Sequence, residues 1–133
     1  MGYLQDPKFN GKATLYRTPE EWEAMQRKKQ EESRHRYQNN PLAAATKLYQ
    51  IARTDTGGGR AASALLLSLW NDEYAANLRD VISSLDIDNT EAAIALLSTL
   101  GPGHHLERYL TQEQIIEIIE VWGTTHERAR VYR

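Results

Sequence analysis

The chain has no cysteine. That excludes a disulfide framework, a cysteine-ligated zinc site and thiol chemistry, and it fits a reducing compartment. Long apolar runs are also missing. No stretch of about 18 apolar residues exists, so no membrane span is expected. Met1 to Arg17 lacks the charged-then-apolar order of a secretory signal, which leaves a cytoplasmic location as the expectation. No repeat with a period of about 20–50 residues is visible, which argues against a solenoid. What remains is ordinary globular composition. Hydrophobic residues make up 41% and charged residues 26% of 133 positions, enough for one domain with one core.

Net charge is −2, but it is unevenly spread. Residues 1–55 carry +3, residues 56–123 carry −7, and residues 124–133 carry +2. An asymmetry of this kind bears on partners and association, not on fold.

Capping signals and apolar spacing predict an all-α chain. Residues 1–17 read as a flexible leader or a short hairpin turning at Asn10-Gly11. Thr18-Pro19-Glu20-Glu21 then opens a helix to about Gln38. Its apolar residues are few, namely Trp22, Met25 and Tyr37, so it is expected to project from the body as a polar, basic arm over 18–40. Asn40-Pro41 starts a second helix to about Arg53, with Leu42, Ala45, Leu48, Tyr49 and Ala52 on one face. The glycines to Gly59 read as a turn. A third helix, expected at the centre, runs from Arg60 to Asn71. A short helix follows Asn77, anchored by Leu78, Val81, Ile82 and Leu85. Asp88-Asn89-Thr90-Glu91 reads as the cap of a helix to Leu100 that points Ala93, Ile94, Leu97 and Leu100 inward. Thr111-Gln112-Glu113-Gln114 opens the last helix, to Trp122. The core should therefore span 41–123 as a compact bundle of about four helices plus a short one, followed by a basic tail over 124–133.

The chemistry-bearing motifs are sparse. Asp55-Thr56-Gly57 matches a protease triplet but lies between helices, where the paired carboxylates of that chemistry have no scaffold. Gly57, Gly58, Gly59 and Arg60 could hold an anion at a helix start, although no Lys-Ser/Thr follows and no strand precedes. His104-His105 lacks a third ligand at helical spacing, and His35 and His126 read as solvated. Arg27, Lys28, Lys29, Arg34 and Arg36, with Trp22, Met25 and Tyr37, form the candidate partner-binding arm. Glu113, Glu117 and Glu120 form an acidic stripe on the last helix, against which the arm of a second copy, or the arm of the same chain folding back, could dock. No catalytic set, metal site or cofactor motif is expected.

Several short motifs resemble an uncharacterised bacterial domain found in small helical proteins of plasmids, integrative elements and phages. They are Asp55-Thr56-Gly57, Arg60-Ala61-Ala62, Leu66-Leu67-Ser68-Leu69-Trp70-Asn71, Leu78-Arg79-Asp80-Val81 and Val121-Trp122-Gly123. Thr18-Pro19-Glu20-Glu21-Trp22-Glu23 and Asn40-Pro41-Leu42 fit the same look. The resemblance implies a mobile-element, cytoplasmic setting and no particular activity.

The sequence thus favours a non-enzymatic protein that binds a protein partner, such as a host factor or defence component, and that self-associates as a homodimer. Two alternatives stand beside it. One is a DNA-associated regulator using the basic arm or a helix-turn-helix-like pair. The other is an anion-binding or enzymatic protein centred on Gly57–Arg60.

Overall fold

The computed structural model of the protein describes residues 18–131. The leader or hairpin expected over 1–17 lies outside them. Among the described residues the regular elements are helices: α1 (Pro19–Tyr37), α2 (Pro41–Ala52), α3 (Gly57–Trp70), α4 (Leu78–Ser84), α5 (Ile87–Thr99), α6 (Gln112–Trp122) and α7 (Arg128–Val131), with one 3₁₀ turn at Leu106–Arg108. None of these helices is long and apolar enough to cross a membrane.

The starts of α1 to α6 are each fixed by a side chain that takes an orphaned backbone donor. Thr18 accepts from the Glu21 amide at 3.1 Å, and Asn40 from that of Ala43 at 3.2 Å. At α6 the capping box is reciprocal: Thr111 Oγ1 accepts from the Gln114 amide, and Gln114 Oε1 accepts from the Thr111 amide.

Two starts differ from the expectation. α3 begins at Gly57, so the glycines form its first turn, with Thr56 accepting from the Gly59 amide at 2.9 Å. The glycines allow the helix to start hard against the end of α2. A Cβ on Gly59 would lie 2.0 Å from the Thr54 carbonyl oxygen. α5 begins at Ile87, because Asp86 rather than Asp88 takes the Asn89 amide, at 2.8 Å. Asp88 is thereby released from capping and becomes available to α1.

α3 is the central helix, as its pattern implies: every residue from Ala61 to Leu67 is buried. It packs against α2, α4 and α6. α5 lies against α2 on one side and α1 on another. Leu48, Leu66, Leu67 and Leu96 are fully buried, each contributing roughly 1.5–3 kcal/mol from lost water contact. Trp122 Nε1 donates to the Ala52 carbonyl at 2.9 Å and ties the end of α6 to the end of α2.

The inward face of α5 keeps Ala93 and Leu100 from the expectation but not Ile94 and Leu97. Ile94 and Leu97 are 53% and 45% exposed, while Ala92, Ala93 and Leu96 are buried. The reason is small-residue packing. Ala44 and Ala45 of α2 are also buried without exposure, and alanine faces bring two helices close without a bulky apolar stripe. Leu42, Leu78 and Ile82, read from the sequence as core-facing, are likewise exposed.

The arm is docked rather than projecting over its second half. Ser33 and Tyr37 are buried, and α1 rests along α5. Apart from Tyr37, which joins the apolar core, its contacts are largely polar, so the absence of an apolar stripe did not keep it off the body. The segment after Gly123 is also held. The Ala75 amide donates to the His126 carbonyl at 3.0 Å, and the Arg128 amide to the Glu73 carbonyl at 2.8 Å. His126, expected in solvent, is 5% exposed.

Candidate functional site

The basic cluster of α1 is divided by the helix itself. Arg34 and Arg36 turn toward α5, where Asp88 and Glu91 lie on the side facing α1. Arg34 Nε meets Glu91 Oε1 at 3.1 Å, and Gln30 Nε2 reaches the other oxygen at 3.4 Å. Ser33 Oγ and Tyr37 Oη each donate to Asp88 at 2.8 Å. Arg36 Nη1 joins the same carboxylate at 2.5 Å, and Lys47 Nζ approaches from α2 at 3.7 Å. Burial pushes the Asp88 carboxyl up. The Ser33 and Tyr37 hydroxyls and the nearby cations outweigh it, so Asp88 sits below its ordinary value. Burial, then the Asp88 hydrogen bond, hold the Tyr37 phenol above its ordinary value. Part of the charge split in the sequence is thus satisfied within the chain.

The first half of α1 is different. Arg27, Lys28 and Lys29 are exposed and make no ion pair among the described residues. Trp22 is 44% exposed and Met25 half-buried. Here α1 passes over Leu85 and Ile87 at the α4–α5 turn and leaves a cleft on each flank. One, of about 570 Å³, is lined by Gln26, Lys29, Glu32, Ser33, Arg36 and Leu85 to Asp88. The other, of about 410 Å³, is lined by Trp22, Glu23, Gln26, Arg27, Gln30, Leu85, Ile87, Thr90 and Glu91. An exposed indole beside an apolar floor, with Arg27, Glu23 and Glu91 on the rim, is chemistry suited to a protein partner.

The acidic stripe serves partly inside the chain. Tyr49 Oη donates to Glu117 at 2.6 Å, and Arg53 approaches the same oxygen at 3.5 Å. Glu113 and Glu120 are exposed. The arm does not lie on this stripe. It lies on Asp88 and Glu91, which the sequence reading had assigned to a cap.

Arg60, the cation of the Gly57–Gly59 turn, is already paired within the chain, although its side chain stays 43% exposed. Arg60 grips Asp80 through Nε at 3.1 Å and Nη2 at 2.8 Å, with Ser84 Oγ at 3.3 Å from Nη2. That fork-to-carboxylate pair holds Asp80 below its ordinary value. His104 and His105 are exposed, and among the described residues no group of three metal-ligating side chains forms.

Tertiary folding also makes a buried pairing that the sequence hides: Ser63 Oγ lies 2.8 Å from His126 Nε2. Their separation of 63 residues hides it in the sequence. The pair is tied into the fold at both ends. The Ser63 hydroxyl also donates to the Arg60 carbonyl at 2.9 Å, which uses its single proton. While that proton is given to Arg60, His126 Nε2 is the donor of the pair, the opposite tautomer from that of a general base. Ser63 is fully buried, and Trp122 stacks on the imidazole at 5.6 Å. Burial and the Arg60 charge hold His126 below its ordinary value, against the opposing pull of the Arg60 backbone and Asp80.

Comparison with known proteins gives a match to the model of a family of unknown function (DUF7673) over residues 42–123. This is more than half of the chain. It takes in α2 to α6 and leaves out α1 and the segment holding His126. No curated protein and no solved structure matches the chain.

Proposed function

The chain belongs to the DUF7673 family of unknown function, and on that footing we propose that it is a non-enzymatic binding module whose partner is another protein. The observation that carries the reading is the exposed first half of α1. Trp22 stands beside the Leu85–Ile87 floor, and Arg27, Lys28 and Lys29 stay unspent by the core. Tryptophan and arginine at a half-open cleft are the residue types that dominate protein interfaces. A partner surface with an apolar knob and acidic surroundings fits this cleft. The resemblance of the chain's short motifs to small plasmid, integrative-element and phage proteins supports a cytoplasmic, mobile-element setting. A host factor or defence component is then the kind of partner to seek.

The DNA-associated reading draws on fewer cations than the sequence offered, because Arg34 and Arg36 face α5. The anion-binding or enzymatic reading at Gly57–Arg60 is weakened by the Arg60–Asp80 pair. Neither reading, nor the first, calls for a cofactor.

Point substitutions test the proposal better than deletion of the arm, since deletion would leave the buried Glu91 without its partners. Affinity capture from the native host is compared for the wild-type chain and Trp22→Ala combined with Lys28→Glu. A protein retained by the wild type and lost by a variant with unchanged circular dichroism supports the proposal. A protein held equally by both refutes it. A gel shift that falls steeply with salt would favour DNA instead.

A further inference from the structure

We infer that α1 is an exchangeable latch: the α5 face that holds it also accepts α1 from a second copy of this chain, giving a helix-exchanged dimer. The occupant's complementarity is already on the page. Ser33, Arg34, Arg36 and Tyr37 meet Asp88 and Glu91 with specific geometry, and nothing in those contacts requires the two helices to share a chain. Exchange conserves every one of them, which is why it is a low-cost route to a dimer.

The connection to the body supports this. α1 rests on α5 and barely touches α2, so its attachment is one face and one hinge. The hinge is Gln38-Asn39-Asn40. It closes by putting Asn39 at φ +60°, a left-handed conformation that L side chains resist, although asparagine tolerates it better than most. Opening the hinge relieves that cost. Extended, three residues span roughly 10 Å, so the two copies would meet close to their hinges. Leu42, 57% exposed, stands just past the hinge, at the start of α2. In the exchanged pair it lies where the copies come together and gains cover.

The test uses the full wild-type chain, half of it labelled with ¹⁵N, mixed and concentrated from the micromolar to the millimolar range. A carbodiimide then joins amines to neighbouring carboxylates. Lys29 on α1 and Asp86 beside α5 line the same cleft, so their crosslink reports which chain supplied the helix. A dimer fraction that rises with concentration and contains heavy–light α1–α5 crosslinks is the expected result. A monomer throughout, or a dimer with crosslinks between like isotopes alone, overturns the inference. A hinge variant gives an independent arm. Asn39→Pro cannot adopt positive φ, while Gln38 at φ −59° and ψ 128° already has the conformation a following proline wants. The variant should shift to dimer at concentrations where the wild type is monomeric. If instead it is monomeric, with α1 undocked, α5 does not recruit the helix from a second copy and the inference fails.

Discussion

Replacing Asp88 with alanine should release α1 before the rest of the chain unfolds. The carboxylate accepts from two hydroxyls, those of Ser33 and Tyr37, each at 2.8 Å and each on a buried residue. Hydrogen bonds to a charged acceptor are worth about 1.5–3 kcal/mol apiece. The two cations add little: Arg36 and Lys47 are 54% and 38% exposed, and exposed pairs contribute about 0–1 kcal/mol. Asp88 is itself 26% exposed, so water can reach the hydroxyls it abandons. The expected loss is therefore about 2–4 kcal/mol, a large part of the roughly 5–15 kcal/mol that holds a small domain together. Hydrogen exchange should show it first in the amides from Gln30 to Tyr37, with α3 still protected. A double-mutant cycle with Tyr37→Phe isolates one bond and should give a coupling of about 1–2 kcal/mol. The sign with pH follows from the lowered Asp88 value. Its stabilisation is present above the ordinary carboxylate range and is lost as pH falls through the lower folded value. Unchanged protection in α1, together with a coupling under about 0.5 kcal/mol, would refute the latch.

Two further outcomes test the fold. His126 is held below its ordinary value of 6.5, so its stabilisation is complete above that pH and is lost as pH falls through it toward the lower folded value. Chemical denaturation at stepped pH should show a slope of up to about 1.4 kcal/mol per pH unit, and His126→Gln should flatten it. An equal slope in that variant would assign the effect elsewhere. On α5, Leu96→Ala should cost about 2–5 kcal/mol and Leu97→Ala well under half of that. Equal costs in urea titrations would return Leu97 to the core.

The sequence by itself determined the helical class and nearly every helix, because capping and periodicity are local. Thr18, Asn40, Asn77 and Thr111 each sit within three residues of the donors they satisfy. It also identified α3 as the centre, since its apolar face is broad. At the start of α5 it took Asp88 for the cap where the structure uses Asp86. Asp86 and Asp88 are both good caps, and the decision went to Asp86 while Ser33 and Tyr37, more than 50 residues away, engaged Asp88. It placed Ala93 and Leu100 correctly on α5 but turned Ile94 and Leu97 inward, because close packing of alanines against α2 leaves no strong hydrophobic signature. Of the candidate site, residue types were legible and directions were not. Arg27 and Arg34 look alike in the chain, but one faces solvent and the other a buried glutamate. Tertiary structure alone decided that the arm lies on α5, that Glu117 belongs to Tyr49, and that His126 is buried against Ser63. In each case the partner is distant in sequence, and only the folded geometry brings the two within hydrogen-bonding reach.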